Sequence, residues 1–146
     1  MRKSKKRLTS VPIMQSDMQA RAITRIMESG DLLTAQKMAN VADRSITNPI
    51  ACISEWEEQG LIFSIQFQGE DYYPSFVLDP LHQFLPRPEL KPILAILGDR
   101  SGWDLAFWFS SPNSYLSGRH PKELLATELE NVLFAARMEA KGIEHG

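Results

Sequence analysis

Residues 47–78 read TNPIACISEWEEQGLIFSIQFQGEDYYPSFVL, and a change of period in the middle of this stretch decides the fold. Up to Gly60 the period is helical. Thr47 or Asn48 caps, Pro49 fits a first helical position, and Ile50, Ile53 and Trp56, with Leu61, make the expected buried side before the Gly60 stop. From Leu61 the period becomes two. LIFSIQF and DYYPSFVL flank QGED, which predicts a β-hairpin turning near Gly69, and Pro74 requires a short or edge second strand.

Upstream, residues 17–29 place Met18, Ala22, Ile23, Ile26 and Met27 on one helical face, with Asp17 and Arg21 four apart as a supporting pair. Ser29 and Gly30 end that helix. Thr34 is the N-cap of a short second helix carrying Ala35, Met38, Ala39 and Ala42. Two short helices, a third and a hairpin follow the order of a winged helix-turn-helix, a unit that reads duplexes with one helix in the major groove.

Downstream the composition shifts. Residues 79–91, with prolines at 80, 86 and 88, predict a stiff connector or a set of short turns, and the next helix is expected to start near Pro92 and close at Gly98. Ser101 and Asp104 have capping-box spacing, so residues 102–109 should be helical until Pro112 forbids continuation. Pro121 suits the first position of a last helix, with Arg119 or His120 at its cap and Glu123 in its first turn. Leu125, Leu129, Val132, Leu133 and Ala136 form its stripe, with a break expected around Ala126 and Thr127. The expected fold is mainly α: a basic arm (1–16), a winged-helix-like unit with a β-hairpin (17–78), a connector (79–91), a small helical domain (92–141) and a tail (142–146).

Composition narrows the function. The chain has 146 residues, 43% apolar and 23% charged, as in an ordinary globular protein, and no apolar run long enough to span a bilayer. MRKSKKR is followed by no sustained apolar stretch, so it does not read as a signal peptide, and a cytoplasmic protein is expected. Cys52 is the single cysteine, which fits a reducing compartment. Five of the sixteen Lys/Arg (Arg2, Lys3, Lys5, Lys6 and Arg7) lie in the arm, and the other eleven face eighteen acids in the body. A basic arm on an acidic body can follow nucleic-acid phosphates, or it can simply be a solubilising terminus.

The third helix complicates duplex reading. Its polar residues are Asn48, Ser54, Glu55, Glu57, Glu58 and Gln59, with no Lys or Arg, and phosphates repel carboxylates. The candidate DNA contacts therefore lie elsewhere: the five arm residues, Lys37 and Arg44, with Arg21 and Arg25 as further cations. For catalysis the material is sparse. His82, His120 and His145 have no ligand-like spacing with one another or with Cys52, and no phosphate-binding or nucleophile-elbow motif occurs. Neither an enzyme nor a metal or other cofactor is expected.

The aromatic run carries more. Trp103, Phe107, Trp108 and Phe109 cannot all face one way on a helix, so some should be core and another should reach a surface. A partly exposed aromatic near Arg119 would anchor a protein partner, since aromatic and arginine side chains carry most interface energy.

These residues resemble a known family. YPSFVLD (73–79), WDLAFWFSSPNSYLSGRHPKELL (103–125) and, more loosely, NVLFAA (131–136) resemble the toxin-binding domain of the Xre/MbcA/ParS-type antitoxins. The likeness rests on Trp103, Leu105, Trp108, Pro112, Asn113, Leu116, Gly118, Arg119, Pro121, Glu123 and Leu124. The segment 32–63 is similar to the short helix-turn-helix preceding such domains, without the usual basic residues. The resemblance implies a non-catalytic antitoxin that blocks a toxin, in this family a RES-domain protein that degrades NAD, and represses its own operon. It implies partner-binding roles near one corner for Trp108, Asn113, Arg119 and Glu123. A stand-alone DNA-binding regulator and a non-catalytic interaction protein of the same fold are the other readings, and a homodimer is expected for the first two.

Overall fold

The computed structural model describes residues 13–41 and 47–145. Ala42, Arg44, the basic residues of the arm and Gly146 lie outside the described residues, so the contacts expected of Arg2, Lys3, Lys5, Lys6, Arg7 and Arg44 find no structural account. The protein is mainly α, with one three-stranded and one two-stranded sheet among the described residues. It divides into two compact units, Met1–Leu32 and Leu33–Gly146.

The described part of the first unit is chiefly helix α1, Ile13–Glu28. Ala22, Ile23, Ile26 and Met27 are half-buried as their spacing requires, whereas Met18, expected on the same face, is 61% exposed. Arg25 sits in the last turn, where the helix dipole favours a cation. The Ser29 hydroxyl donates to the Ile26 carbonyl at 2.7 Å, and Gly30 leaves with a positive φ.

A three-residue strand that the sequence reading missed, β1 (Leu32–Thr34), precedes helix α2 (Ala35–Val41). Thr34 both ends the strand and caps the helix, its Oγ1 accepting from the Lys37 N–H at 3.1 Å. Helix α3 (Pro49–Glu58) begins as expected, with Asn48 Oδ1 accepting from the Ala51 N–H and Pro49 in the first turn. Ile53 is buried, but Ile50 is 44% exposed, which corrects its expected place on the buried side. Strands β2 (Ile65–Phe67) and β3 (Glu70–Pro74) pair antiparallel with Ile65 opposite Tyr72 and Phe67 opposite Glu70. The connecting pair Gln68 and Gly69 has φ of 54° and 82°, the two positive values that a two-residue turn matched to strand twist needs. The sheet order is β1-β3-β2. Within the second unit, helix α2, helix α3 and the β2–β3 hairpin follow the order expected of a winged helix-turn-helix.

Of the two readings of the proline-rich stretch, the set of short turns is the one found. A 3₁₀ turn at Ser75–Val77 leads into β4 (Leu78–Asp79), which pairs with β5 (Leu85–Pro86) around a second 3₁₀ turn at Pro80–His82. Asp79 is buried; one carboxylate oxygen accepts from the Leu81 N–H at 3.0 Å and the other meets His82 Nδ1 at 2.7 Å. Helix α4 spans Leu90–Leu97, two residues earlier than expected. Pro92 is its third residue, where an N–H would have had no intrahelical acceptor, so the ring is tolerated.

Helix α5 is Gly102–Ser110, with the Ser101 hydroxyl accepting from the Asp104 N–H at 3.1 Å as the capping-box spacing requires. The helix expected to start at Pro121 is a 3₁₀ turn, Pro121–Glu123, and helix α6 begins at Leu129 and runs to His145. The separation falls at the expected break. Glu128, just ahead of α6, passes its carbonyl to the Val132 N–H and leaves its carboxylate free for other work.

Helices α4 and α6 pack through Leu90, Ile93 and Leu97 on one side and Val132, Ala135 and Ala136 on the other, all buried. A second cluster crosses the supposed domain boundary. The Phe109 ring lies 5.8 Å from Phe63 and 5.0 Å from Phe76. Trp103 Nε1 donates to the Gln66 carbonyl at 2.9 Å, and a Cβ at Gly102 would overlap the Ser64 carbonyl oxygen. The wing strands and α5 therefore share one core, and residues 79–91 do not separate two.

Candidate partner-binding site

Helix α5 is apolar nearly all round, and its neighbours sort the aromatics. Leu105, Ala106 and Phe109 are buried, Phe109 completely. Trp103 is tied to β2, while Phe107 and Trp108 are half-buried and face a groove. Trp108 packs edge-on against Phe109 at 5.0 Å. The four rings thus divide between core and surface, as their angular spread on a helix demands.

After Ser111 the chain turns a closed corner. Asn113 Oδ1 accepts from the Tyr115 N–H at 2.9 Å, opening a 3₁₀ turn at Ser114–Leu116. The Asn113 carbonyl accepts from the Leu116 and Gly118 N–H groups, and its own N–H donates to the Arg119 carbonyl at 3.1 Å. Ser117 and Gly118 are both left-handed, at φ of 59° and 83°, a pair only cheap with glycine in it. Leu116, 1% exposed, pins the corner to the core.

Arg119 is held inside this corner. Its Nε donates to the Leu116 carbonyl at 2.9 Å, and its two terminal nitrogens meet the two carboxylate oxygens of Glu128, Nη2 to Oε1 at 3.0 Å. This is the forked geometry that arginine makes with a carboxylate. The hydrogen bond from Arg119, with a second from Asn131 Nδ2, holds the Glu128 carboxyl below its ordinary range, and Glu128 raises the Arg119 guanidinium in turn. Glu123 stands apart, exposed, 3.4 Å from His120 Nδ1. Of the four residues expected to meet a partner, Trp108 and Asn113 come together in one groove. Arg119 serves as an internal brace whose carboxylate is Glu128, and Glu123 ends the 3₁₀ turn exposed beside His120.

The groove has a volume of about 520 Å³ and runs between α5, the corner and α6. Phe107, Trp108 and Tyr115 give it aromatic walls, and Asp104, Arg100 and Glu139 give it charge. Arg100 is largely sunk, its side chain 14% exposed; it donates to the Leu97 and Glu139 carbonyls and lies 3.5 Å from the Glu139 carboxylate. The indole N–H of Trp108 is buried and meets no acceptor among the described residues. Beside the groove Tyr115 and Phe134 stack edge to face at 5.7 Å, 51% and 47% exposed. The sequence reading missed Arg100, Tyr115 and Phe134. Phe134 carried a signal, being a large apolar residue off the Leu125–Ala136 stripe; Arg100 and Tyr115 lie outside any periodic segment and carried none.

A different surface is presented by α3. Ile50, Ala51, Ser54, Glu55, Glu58 and Gln59 are exposed. Glu57 turns inward, accepting from the Ser64 hydroxyl at 2.7 Å and the Tyr73 hydroxyl at 3.4 Å. Burial, helped by the Glu57 charge, pushes the Tyr73 phenol up to about 12. Lys37 is exposed on α2, and Arg21 and Arg25 are exposed on α1. Two of the three carboxylates on α3 therefore face solvent with no cation on that helix.

Among the described residues no group of three or more His, Cys, Asp or Glu side chains is placed to hold a metal ion, and Cys52 is a half-buried free thiol. No described helix is long and apolar enough to cross a membrane. No family model matches the chain, and no curated protein or solved structure matches it either.

Proposed function

We propose that this chain is an antitoxin-like adaptor, a cytoplasmic, non-catalytic protein that binds and neutralises a partner toxin and acts as a homodimer. The single observation that carries this reading is the groove beside α5, where half-buried aromatic side chains and an exposed Tyr115–Phe134 pair stand on a corner braced by Arg119 and Glu128. Rigid aromatic groups next to polar ones, on a scaffold that holds them in place, are what a protein interface concentrates at its centre. The resemblance of residues 103–125 to the Xre/MbcA/ParS-type toxin-binding domain adds the partner class, a RES-domain toxin that degrades NAD; that chemistry would belong to the toxin, with no cofactor on this chain.

The test is co-expression with the protein encoded beside it, followed by pull-down of the tagged chain. Tyr115→Ser is expected to weaken capture by about tenfold or more, the loss of a central aromatic anchor, with an unchanged circular dichroism spectrum. Full capture by Tyr115→Ser and by Phe134→Ser would remove this face from the reading.

The element and sheet order of a winged helix favours a second activity, duplex DNA binding, either as repression of the chain's own operon or as the work of a stand-alone regulator. In this reading the phosphates are met by Arg2, Lys3, Lys5, Lys6, Arg7, Lys37 and Arg44, because the exposed face of α3 offers only Glu55 and Glu58 as charges.

A further inference from the structure

Resting on the adaptor reading, we infer that the groove between α5 and α6 takes an arginine side chain of the partner, stacked on the Trp108–Tyr115 walls and paired with the Asp104 carboxylate. The groove holds one cation and two carboxylates. Arg100 is sunk, donates from Nη1 and Nη2 to two carbonyls and lies 3.5 Å from the Glu139 carboxylate, so these two charges offset each other locally. Asp104 is left as the exposed charge at the rim, and it makes no ion pair among the described residues. The groove therefore carries a net negative charge, and it is walled by aromatic rings, the combination that attracts a cation.

Guanidinium fits better than ammonium. It is flat, it lies on aromatic faces, it is weakly hydrated, and its fork matches a carboxylate in two parallel hydrogen bonds. An anionic group is disfavoured, since the one cation is already neutralised and the rim charge would repel it. A neutral apolar side chain would bury Asp104 without a partner, which costs more than it returns.

The experiment needs no identified toxin. The full chain, labelled with nitrogen-15, is titrated with N-acetyl-argininamide, with the isosteric N-acetyl-citrullinamide, and with N-acetyl-aspartamide, while the three tryptophan indole signals are followed. Trp108→Phe assigns the signal of interest. The expected result is a saturable shift of the Trp108 signal by the arginine probe at roughly millimolar concentration, with about fivefold weaker binding of the citrulline probe and of the arginine probe to Asp104→Asn. Equal binding of the arginine and citrulline probes, preference for the aspartate probe, or no saturable shift would overturn the inference. Its failure is separable from that of the adaptor reading. A partner captured as well by Asp104→Asn as by the parent chain would remove the arginine and leave the adaptor in place.

Discussion

Helices α3 and α5 are nearly equal in length, ten and nine residues, and both start from a side-chain cap, yet they have opposite relations to their surroundings. In α3 a single side chain, Ile53, is buried, and the exposed residues are Ile50 and Ala51 in the first turn and then Ser54, Glu55, Glu58 and Gln59 around it, with acids as the only charges. In α5 Leu105, Ala106 and Phe109 are buried, and even the outward residues Phe107 and Trp108 are aromatic. Helix α3 thus carries no cation on its exposed face, while α5 presents the aromatic surface. The difference teaches that topology names a shape, and the exposed side chains decide what the shape can meet.

The largest expected effect concerns how far the two regions depend on each other. Phe109 stacks with Phe63 and Phe76, from the other side of the connector, so Phe109→Ala should cost about 3–5 kcal/mol in urea unfolding. The wing and the C-terminal helices should melt in one transition, followed by indole fluorescence and far-ultraviolet circular dichroism together. Two separated transitions, with only the C-terminal half destabilised, would break the claim of one shared core.

A smaller effect sharpens the charge contrast. The double substitution of Glu55→Lys and Glu58→Lys removes the exposed acids from α3 without touching Glu57, which is engaged with Ser64 and Tyr73. Stability should change by no more than about 0.5 kcal/mol, as for other exposed positions. Affinity for a random duplex should rise, and its dependence on salt should steepen by about one unit of log–log slope for each added cation that meets a phosphate, as read by fluorescence anisotropy. Unchanged affinity and slope would show that α3 does not face the duplex in any bound state.

The local grammar was legible in advance wherever one residue type has one reason to be present. Asn48, Thr34 and Ser101 cap as their chemistry requires, and the hairpin turns at Gln68 and Gly69. Strand β1 was not legible, because three residues have no period of their own and gain strand geometry only by pairing within the sheet. Across 79–91 the prolines announced short turns as one of two readings, but proline counts say nothing of the β4–β5 pairing or the Asp79 hydrogen bonds that make the turns a folded element. At the site, the spread of aromatics around α5 was readable from helix geometry. The partner of Arg119 was not, for Glu123 and Glu128 are equally plausible in sequence, and only the 3₁₀ turn at Pro121–Glu123 brings the second one round.

The smallest effect tests that brace. Because Arg119, and then Asn131, hydrogen-bond the ionised Glu128 carboxylate, its folded value lies below the ordinary 4.5. A depressed carboxyl binds fewer protons in the folded state than in the unfolded one, so its contribution to stability is present in full above pH 4.5. It is lost as pH falls from there through the folded value. The pair is exposed, which keeps the contribution modest and makes it sensitive to salt. Glu128→Gln should therefore flatten the acid limb of the stability profile below pH 4.5 and leave the relative slope above it unchanged. Direct titration of the Glu128 carboxyl by carbon-13 NMR should show its midpoint rising toward 4.5 in Arg119→Ala. A midpoint that stays where it was would mean that the corner beside the groove is held by its backbone hydrogen bonds alone, with Arg119 released to meet a partner as the sequence had suggested.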